Sequence, residues 1–323
     1  MATPELRHML RDDDLNHEEQ KQVLELAIKF HNDRFYHQPF AGPQGIAVIF
    51  DKPSTRTVPA SPLALPNWAA IRWSSTSPDP SWAVANRWQT PHVCLTAWPT
   101  AWCGVPSVRI VWRKMAEVFH PSGGETPLTD EFHPCQILAD FQTIAEHRGG
   151  VDNLKNQTIA YLGDAANNMS NSYLLGGAVA GMNVRVAGPN GYLPDPQIVA
   201  NAEAIASENG GSVLVTTDPK EAVAGADCVF TDTWVSMGEE AEYAIRSKPF
   251  WDYQVNAELM SYAKEDAIFQ HCLPAYRGKE VTSEVIDGPQ SVVWDEAGNR
   301  LHAQKALLTW LAGKARGDES LLA

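Results

Sequence analysis

The chain has 323 residues and a formal net charge of -14, a length that predicts two α/β domains with a core in each. The acidic balance argues against a nucleic-acid partner, which needs clustered Lys and Arg, but leaves room for a small anion at a locally basic site. Cys94, Cys103, Cys135, Cys228 and Cys272 lack the paired spacing of a zinc site or disulfide framework, and without an apolar run near 20 residues or a charged-then-apolar leader, a reducing cytoplasm is expected rather than a membrane or secretion.

Taken in chain order, Glu18 to Phe35 predicts a helix, with Val23, Leu24, Leu26, Ala27 and Phe30 as its apolar stripe. Asp12, Asp13 and Asp14 put negative charge ahead of its N-terminus, where the dipole favours it. The run Gly45 to Ile49 predicts a buried strand that ends in the loop Phe50 to Thr57. There, Ser54, Thr55, Arg56 and Thr57 set hydroxyls and a guanidinium beside what could be the first free amides of a helix. That suits a phosphate; an ordinary helix cap fits these residues equally well.

From Val58 to Lys114 the character of the chain changes. Seven of the eleven tryptophans fall here (Trp68, Trp73, Trp82, Trp88, Trp98, Trp102, Trp112), Asp79 is the only acidic residue, and neither helical nor strand periodicity persists. An aromatic ligand surface and an irregular loop both sit badly inside a compact domain. A third reading is translation out of frame. Codons can be chosen so that Val58 to Ala70, read two nucleotides later, gives SSFAAGVAELGG, with one restored base adding an Arg after Thr57. At the same offset Pro80 to Trp98 gives QLGRGESVADTARVLDRM and Ala101 to Arg113 gives VVWRTFGQDRVEE, which Met115 would continue. Three stretches agreeing at one offset favour this reading, and the anomaly extends to about Gly124.

Leu128 to Gln136 leads into a helix from Ile137 to His147, with Pro134 in its first turn. His133 and Gln136 sit together at its N-terminal end, suited to capping or, beside a phosphate loop, to binding a polar carbonyl. Gly149-Gly150 marks the expected domain boundary, giving domains 1–148 and 149–323. A second α/β unit follows: strand Thr158 to Leu162, turn Gly163-Asp164, a helix opened by Asn167 and Asn168 and running to Ala180, then strand Val184 to Ala187. The dinucleotide spacing G-x-G-x-x-G is absent. Strands Cys228 to Thr231 and Ala267 to Gln270 end at Asp232 to Gly238 and at His271 to Pro274. In an open parallel sheet ligands gather at such ends, making Asp232, Ser236 and Cys272 plausible neighbours. Asn299 begins a terminal helix through about Leu311, and the tail from Gly313 is expected to fray.

Together these motifs resemble the ornithine carbamoyltransferase family from Leu6 to about Leu311, except for Val58 to about Gly124. Ser54 to Thr57 is similar to that family's carbamoyl-phosphate loop, and His133-Pro134-Cys135-Gln136 to its second carbamoyl-phosphate motif. Asp232 to Gly238 is similar to its ornithine loop, and His271 to Gly278 to its catalytic cysteine segment. The resemblance implies an α/β fold of two doubly wound parallel-sheet domains joined by interdomain helices, with the C-terminal helix packing back on the N-terminal domain. It implies a carbamoyl-phosphate-binding domain, an ornithine-binding domain, a homotrimer and a place in arginine biosynthesis.

The implied reaction moves a carbamoyl group from carbamoyl phosphate to L-ornithine, giving citrulline and phosphate, with no metal or organic cofactor. Ser54, Thr55, Arg56 and Thr57 would neutralise the phosphate, and His133 and Arg300 would polarise the carbonyl. Gln136 would orient the carbamoyl amide, with Cys272 and Leu273 completing that subsite. Asn168, Asp232, Ser236 and Met237 would hold ornithine, and Cys272 would help accept the amine proton. The chain departs from the pattern at Val58, where the family carries a second Arg. Arg113 only mimics the family's WRT arginine, so weak carbamoyl-phosphate binding is expected of the chain as written. The alternatives are another amine, putrescine or an acetylated ornithine, or a non-catalytic metabolite-binding homologue.

Overall fold

A computed structural model describes residues 7–41, 129, 131–235 and 247–322, together with the backbone of four strands at 45–50, 71–76, 99–105 and 125–127. The phosphate-type loop 54–57, the loop residues Ser236 and Met237, Val58 and Arg113 lie outside the described residues. So does the stretch read as out of frame, apart from the backbone of the strands that cross it.

Two compact units divide the chain: residues 1–139 with 299–323, and residues 140–298. Both divisions fall inside helices, whereas the sequence reading set the boundary at 148/149. In the first unit, helix α1 runs from His17 to Asn32. Asn16 caps it, accepting from Glu19 N at 3.0 Å while Glu19 Oε2 accepts from Asn16 N at 3.1 Å, a reciprocal box that satisfies two end amides. The helix stops three residues before the predicted Phe35, because Asp33 leaves helical geometry (φ -137°) and its carboxylate takes Phe35 N at 2.9 Å. The three aspartates do more than bias the dipole. They form a 3-10 turn in which Asp14 Oδ2 accepts from Leu10 N and Arg11 N.

Strands β1 (Gly45–Phe50), β2 (Ile71–Thr76), β3 (Pro99–Val105) and β4 (Glu125–Pro127) form a parallel sheet in the order β2-β1-β3-β4. Helix α2 (Pro134–His147) begins in this unit and ends in the other; the left-handed Gly149 and Gly150 (φ 92° and 96°) close it.

The second unit alternates strands and helices: β5 (Thr158–Leu162), α3 (Asn168–Val179), β6 (Asn183–Ala187), α4 (Pro196–Asn209), β7 (Ser212–Thr216), α5 (Pro219–Val223) and β8 (Cys228–Thr231). Then come α6 (Ala257–Met260), β9 (Ile268–His271) and α7 (Ser283–Ile286). All five strands are parallel, in the order β7-β6-β5-β8-β9. Burial on both faces explains the continuous apolar runs of β5 and β8, buried at every position. Helix α3 is buried throughout from Met169 to Val179; a Cβ on Gly177 would lie 2.4 Å from Val184 Cγ2, so glycine lets it close on β6.

Helix α8 (Val293–Arg316) starts six residues before the predicted Asn299. Gly298 interrupts its apolar pattern, but nothing crowds that position and the helix continues through it. From Asn299 onward it belongs to the first unit, as expected for a returning C-terminal helix. Trp310 Nε1 donates to Gln22 Oε1 at 3.0 Å and Lys305 Nζ donates to Arg34 O. The tail does not fray: Arg316 donates to Pro39 O at 2.6 Å, and a 3-10 turn, Glu319–Leu321, folds Leu321 back into cover. Among the described residues no helix is long and apolar enough to cross a membrane.

Candidate active site

In the second unit the strand order reverses between β5 and β8, and at the carboxyl ends of such strands an open α/β sheet leaves a crevice. Gly163 turns the chain after β5 at φ 124°, a region closed to most side chains; a Cβ there would meet Trp234 Cδ1 at 3.4 Å. Asn167 caps α3 by accepting from Ser170 N at 2.9 Å, and its amide donates to Tyr161 OH at 2.8 Å. This fixes Asn168 as the first residue of α3, where it is half-buried. Burial, then the nearby Asp232 and Asp164, push the Tyr161 phenol well above its ordinary pKa, keeping it neutral.

After β8 comes Asp232, half-buried, whose Oδ1 accepts from Thr233 N at 2.7 Å and from Cys272 Sγ at 3.2 Å. Its other oxygen takes no hydrogen bond among the described residues and faces no cationic partner there. Cys272 follows β9, in a chain reversal made by Leu273 at φ 55°, the only non-glycine with positive φ among the described residues. Three buried side-chain atoms hold this reversal. Glu296 Oε2 accepts from His271 N at 2.8 Å, His271 Nδ1 accepts from Leu273 N at 2.9 Å, and Glu280 Oε1 accepts from Tyr276 N at 2.5 Å. Behind them Tyr173 OH donates to Asp140 Oδ2 at 2.6 Å, and burial followed by that carboxylate raises the phenol's pKa.

In the first unit the N-terminal turn of α2 carries His133 and Gln136. His133 O accepts from Gln136 N at 3.0 Å, and Arg300 Nη1, from α8, donates to Gln136 Oε1. Residues 164 positions apart are thereby joined, with Gln136 and Arg300 both almost fully buried. Burying a guanidinium is costly unless its donors find acceptors, and the Gln136 amide oxygen is one of them.

Asp232, His271 and Cys272 form a group whose ligating atoms lie within 4.8 Å of one another. The ring does not suit a metal. With Nδ1 accepting from Leu273 N–H, the imidazole proton belongs on Nε2, which faces Glu280 Oε1 at 3.4 Å, so neither nitrogen has a lone pair to give. Of the sequence-predicted residues, Asp232 and Cys272 are thus brought into contact, Leu273 shares the reversal that carries Cys272, and Gln136 and Arg300 are bonded beside His133.

The carbamoyltransferase resemblance can be set beside known proteins. The family model described as aspartate/ornithine carbamoyltransferase, Asp/Orn binding domain, matches residues 155–311. The ornithine carbamoyltransferase of Bifidobacterium longum subsp. infantis is 72% identical over 327 residues, covering 99% of this chain and 100% of that protein. That of Bifidobacterium longum strain NCC 2705 is 70% identical, covering 99% and 100%. The chain belongs to the ornithine carbamoyltransferase family. A solved structure of ornithine carbamoyltransferase from Pyrococcus furiosus superposes with a TM-score of 0.89 at 37% identity, covering 97% of this chain and 99% of that one. As a member of this transferase family, the chain carries supports that its motifs do not announce. Tyr161 reads as strand core, Glu280 as one more charge beside Lys279, and Glu296 as a helix-start acid. Only their positions a few residues from Asn167, Tyr276 and Arg300 could have drawn attention to them.

Proposed function

We propose that the chain catalyses carbamoyl transfer from carbamoyl phosphate to the side-chain amine of L-ornithine, releasing phosphate and citrulline in arginine biosynthesis. The observation that carries the reading is the Cys272–Asp232 contact at the switch point of a family-matched domain. The first unit binds carbamoyl phosphate and the second binds ornithine. Asp232 and Asn168, with Ser236 and Met237, hold the amino-acid end. The neutral side-chain amine attacks the carbamoyl carbon, the bond to the phosphate oxygen breaks, and Cys272 helps receive the amine proton. Gln136 orients the carbamoyl amide, while Arg300 and His133 polarise the carbonyl as it gains charge. Ser54, Thr55, Arg56 and Thr57 neutralise the leaving phosphate.

Val58 stands where the family pattern has a second arginine, and the out-of-frame reading of 58 to about 114 removes the WRT arginine too. Each lost charge-assisted contact to a buried phosphate costs about 1.5 to 3 kcal/mol, so the chain as written is a slow enzyme by several orders of magnitude. Sequencing the gene across codons 57 to 126 decides the frame, since an open frame with unrelated codons removes the reading. The working form is a cytoplasmic homotrimer, tested by sedimentation. Citrulline formation, compared across L-ornithine, putrescine and acetylated ornithine, tests the reaction itself.

A further inference from the structure

The reversal that presents Cys272 begins at His271 and ends at Tyr276, and both ends meet one atom. Glu280 Oε1 accepts from Tyr276 N at 2.5 Å and lies 3.4 Å from His271 Nε2, which in turn sits on a ring whose Nδ1 holds Leu273 N at 2.9 Å. The side chains of His271 and Glu280 are closed to solvent, at 0% and 1% exposure. Cys272 and Leu273, between them, are half-exposed. A buried carboxylate is retained only where its partners use it, and here those partners are the two ends of the loop carrying the thiol.

We propose that Glu280 is a positioning residue: through His271 and Tyr276 it fixes the 271–276 reversal so that Cys272 Sγ stays on Asp232 Oδ1. Its consequence for carbamoyl transfer rests on the function proposed above, but its consequence for the thiol does not. A thiol held on a carboxylate oxygen is hindered from ionising and from reaching solvent. Released from it, the thiolate becomes more available to an alkylating reagent. Asn at 271 is informative because its side-chain oxygen can stand where Nδ1 stands, keeping the bond to Leu273 N while dropping the arm to Glu280. Gln at 280 keeps an oxygen for Tyr276 N but removes the negative charge that faces the Nε2 proton.

The test is the rate of Cys272 alkylation by iodoacetamide, followed by peptide mass spectrometry on the full chain, wild type beside Glu280→Gln and His271→Asn. Both variants are expected to react about fivefold or more faster at Cys272 while Cys135 stays slow. In citrulline assays kcat is expected to fall about tenfold with KM for carbamoyl phosphate within about twofold. Alkylation within twofold of wild type in either folded variant overturns the proposal, and so does failure of both variants to fold, which would make Glu280 a core residue only. A wild-type chain that forms no citrulline would defeat the proposed function and leave the alkylation result standing.

Discussion

Lys305 offers a test of the first unit that needs no substrate. Its ammonium is buried on α8, donates to Arg34 O and lies 4.6 Å from the centre of the Phe30 ring. Burial, then the nearby Arg34, outweigh Asp33 and lower its pKa from 10.5 to about 8. Between those pH values the folded chain binds fewer protons than the unfolded one, so stability rises with pH across that window. Below about pH 8 both states are protonated and the penalty is full and constant. A fall from 10.5 to about 8 corresponds to roughly 3 kcal/mol. Lys305→Met removes this dependence while also removing the bond to Arg34 O and the contact with Phe30, which offset part of the gain at pH 7. The slope is therefore the readout. Calorimetry of wild type and Lys305→Met at pH 7, 8, 9 and 10 should show the difference in Tm shifting by about 5 °C in favour of wild type between pH 8 and 10. Parallel profiles for the two proteins over that range would refute a penalised lysine at this position.

Other expectations follow from single contacts. Asp227, 2% exposed, takes Lys264 at 2.7 Å, Thr158 N at 2.9 Å and Arg148 at 2.6 Å. Burial alone would raise its carboxyl, but these bonds together hold it below the ordinary 3.8. Its stabilisation is thus present above that value and lost as pH falls through the lower, folded one; Asp227→Asn should cost about 3 to 5 kcal/mol at pH 7 by urea titration and flatten the acid limb. Gly177→Ala would drive a methyl to 2.4 Å from Val184 Cγ2, costing about 1 to 3 kcal/mol in the same titration. Asp232→Asn should raise KM for ornithine and lower kcat/KM about 10- to 150-fold, with the carbamoyl-phosphate KM nearly unchanged; an unchanged ornithine KM would remove Asp232 from that subsite.

The second unit was the more legible in sequence. Parallel strands buried on both faces leave unbroken apolar runs, so Thr158–Leu162 and Cys228–Thr231 stand out together with the polar residues at their ends. Helix ends were harder, because they turn on single contacts: Asp33 capturing Phe35 N, or Gly298 carried through α8 without a clash. The Arg300–Gln136 bond joins residues 164 positions apart and has no local signature; the family resemblance singled out each residue separately, and their bond is visible only in the fold. Glu280 was silent because an acidic residue next to a lysine reads as solvated surface until the backbone folds over it.

Cys272 and Asp232 are proposed to serve carbamoyl transfer to ornithine. The most direct measurement is citrulline formation from carbamoyl phosphate by the chain as written and by the same gene with its frame restored between codons 57 and 115. The restored enzyme should turn over L-ornithine about a hundredfold or more faster than putrescine or acetylated ornithine, and faster than the chain as written by about a thousandfold. A restored enzyme that forms no citrulline, or that prefers another amine, would contradict it.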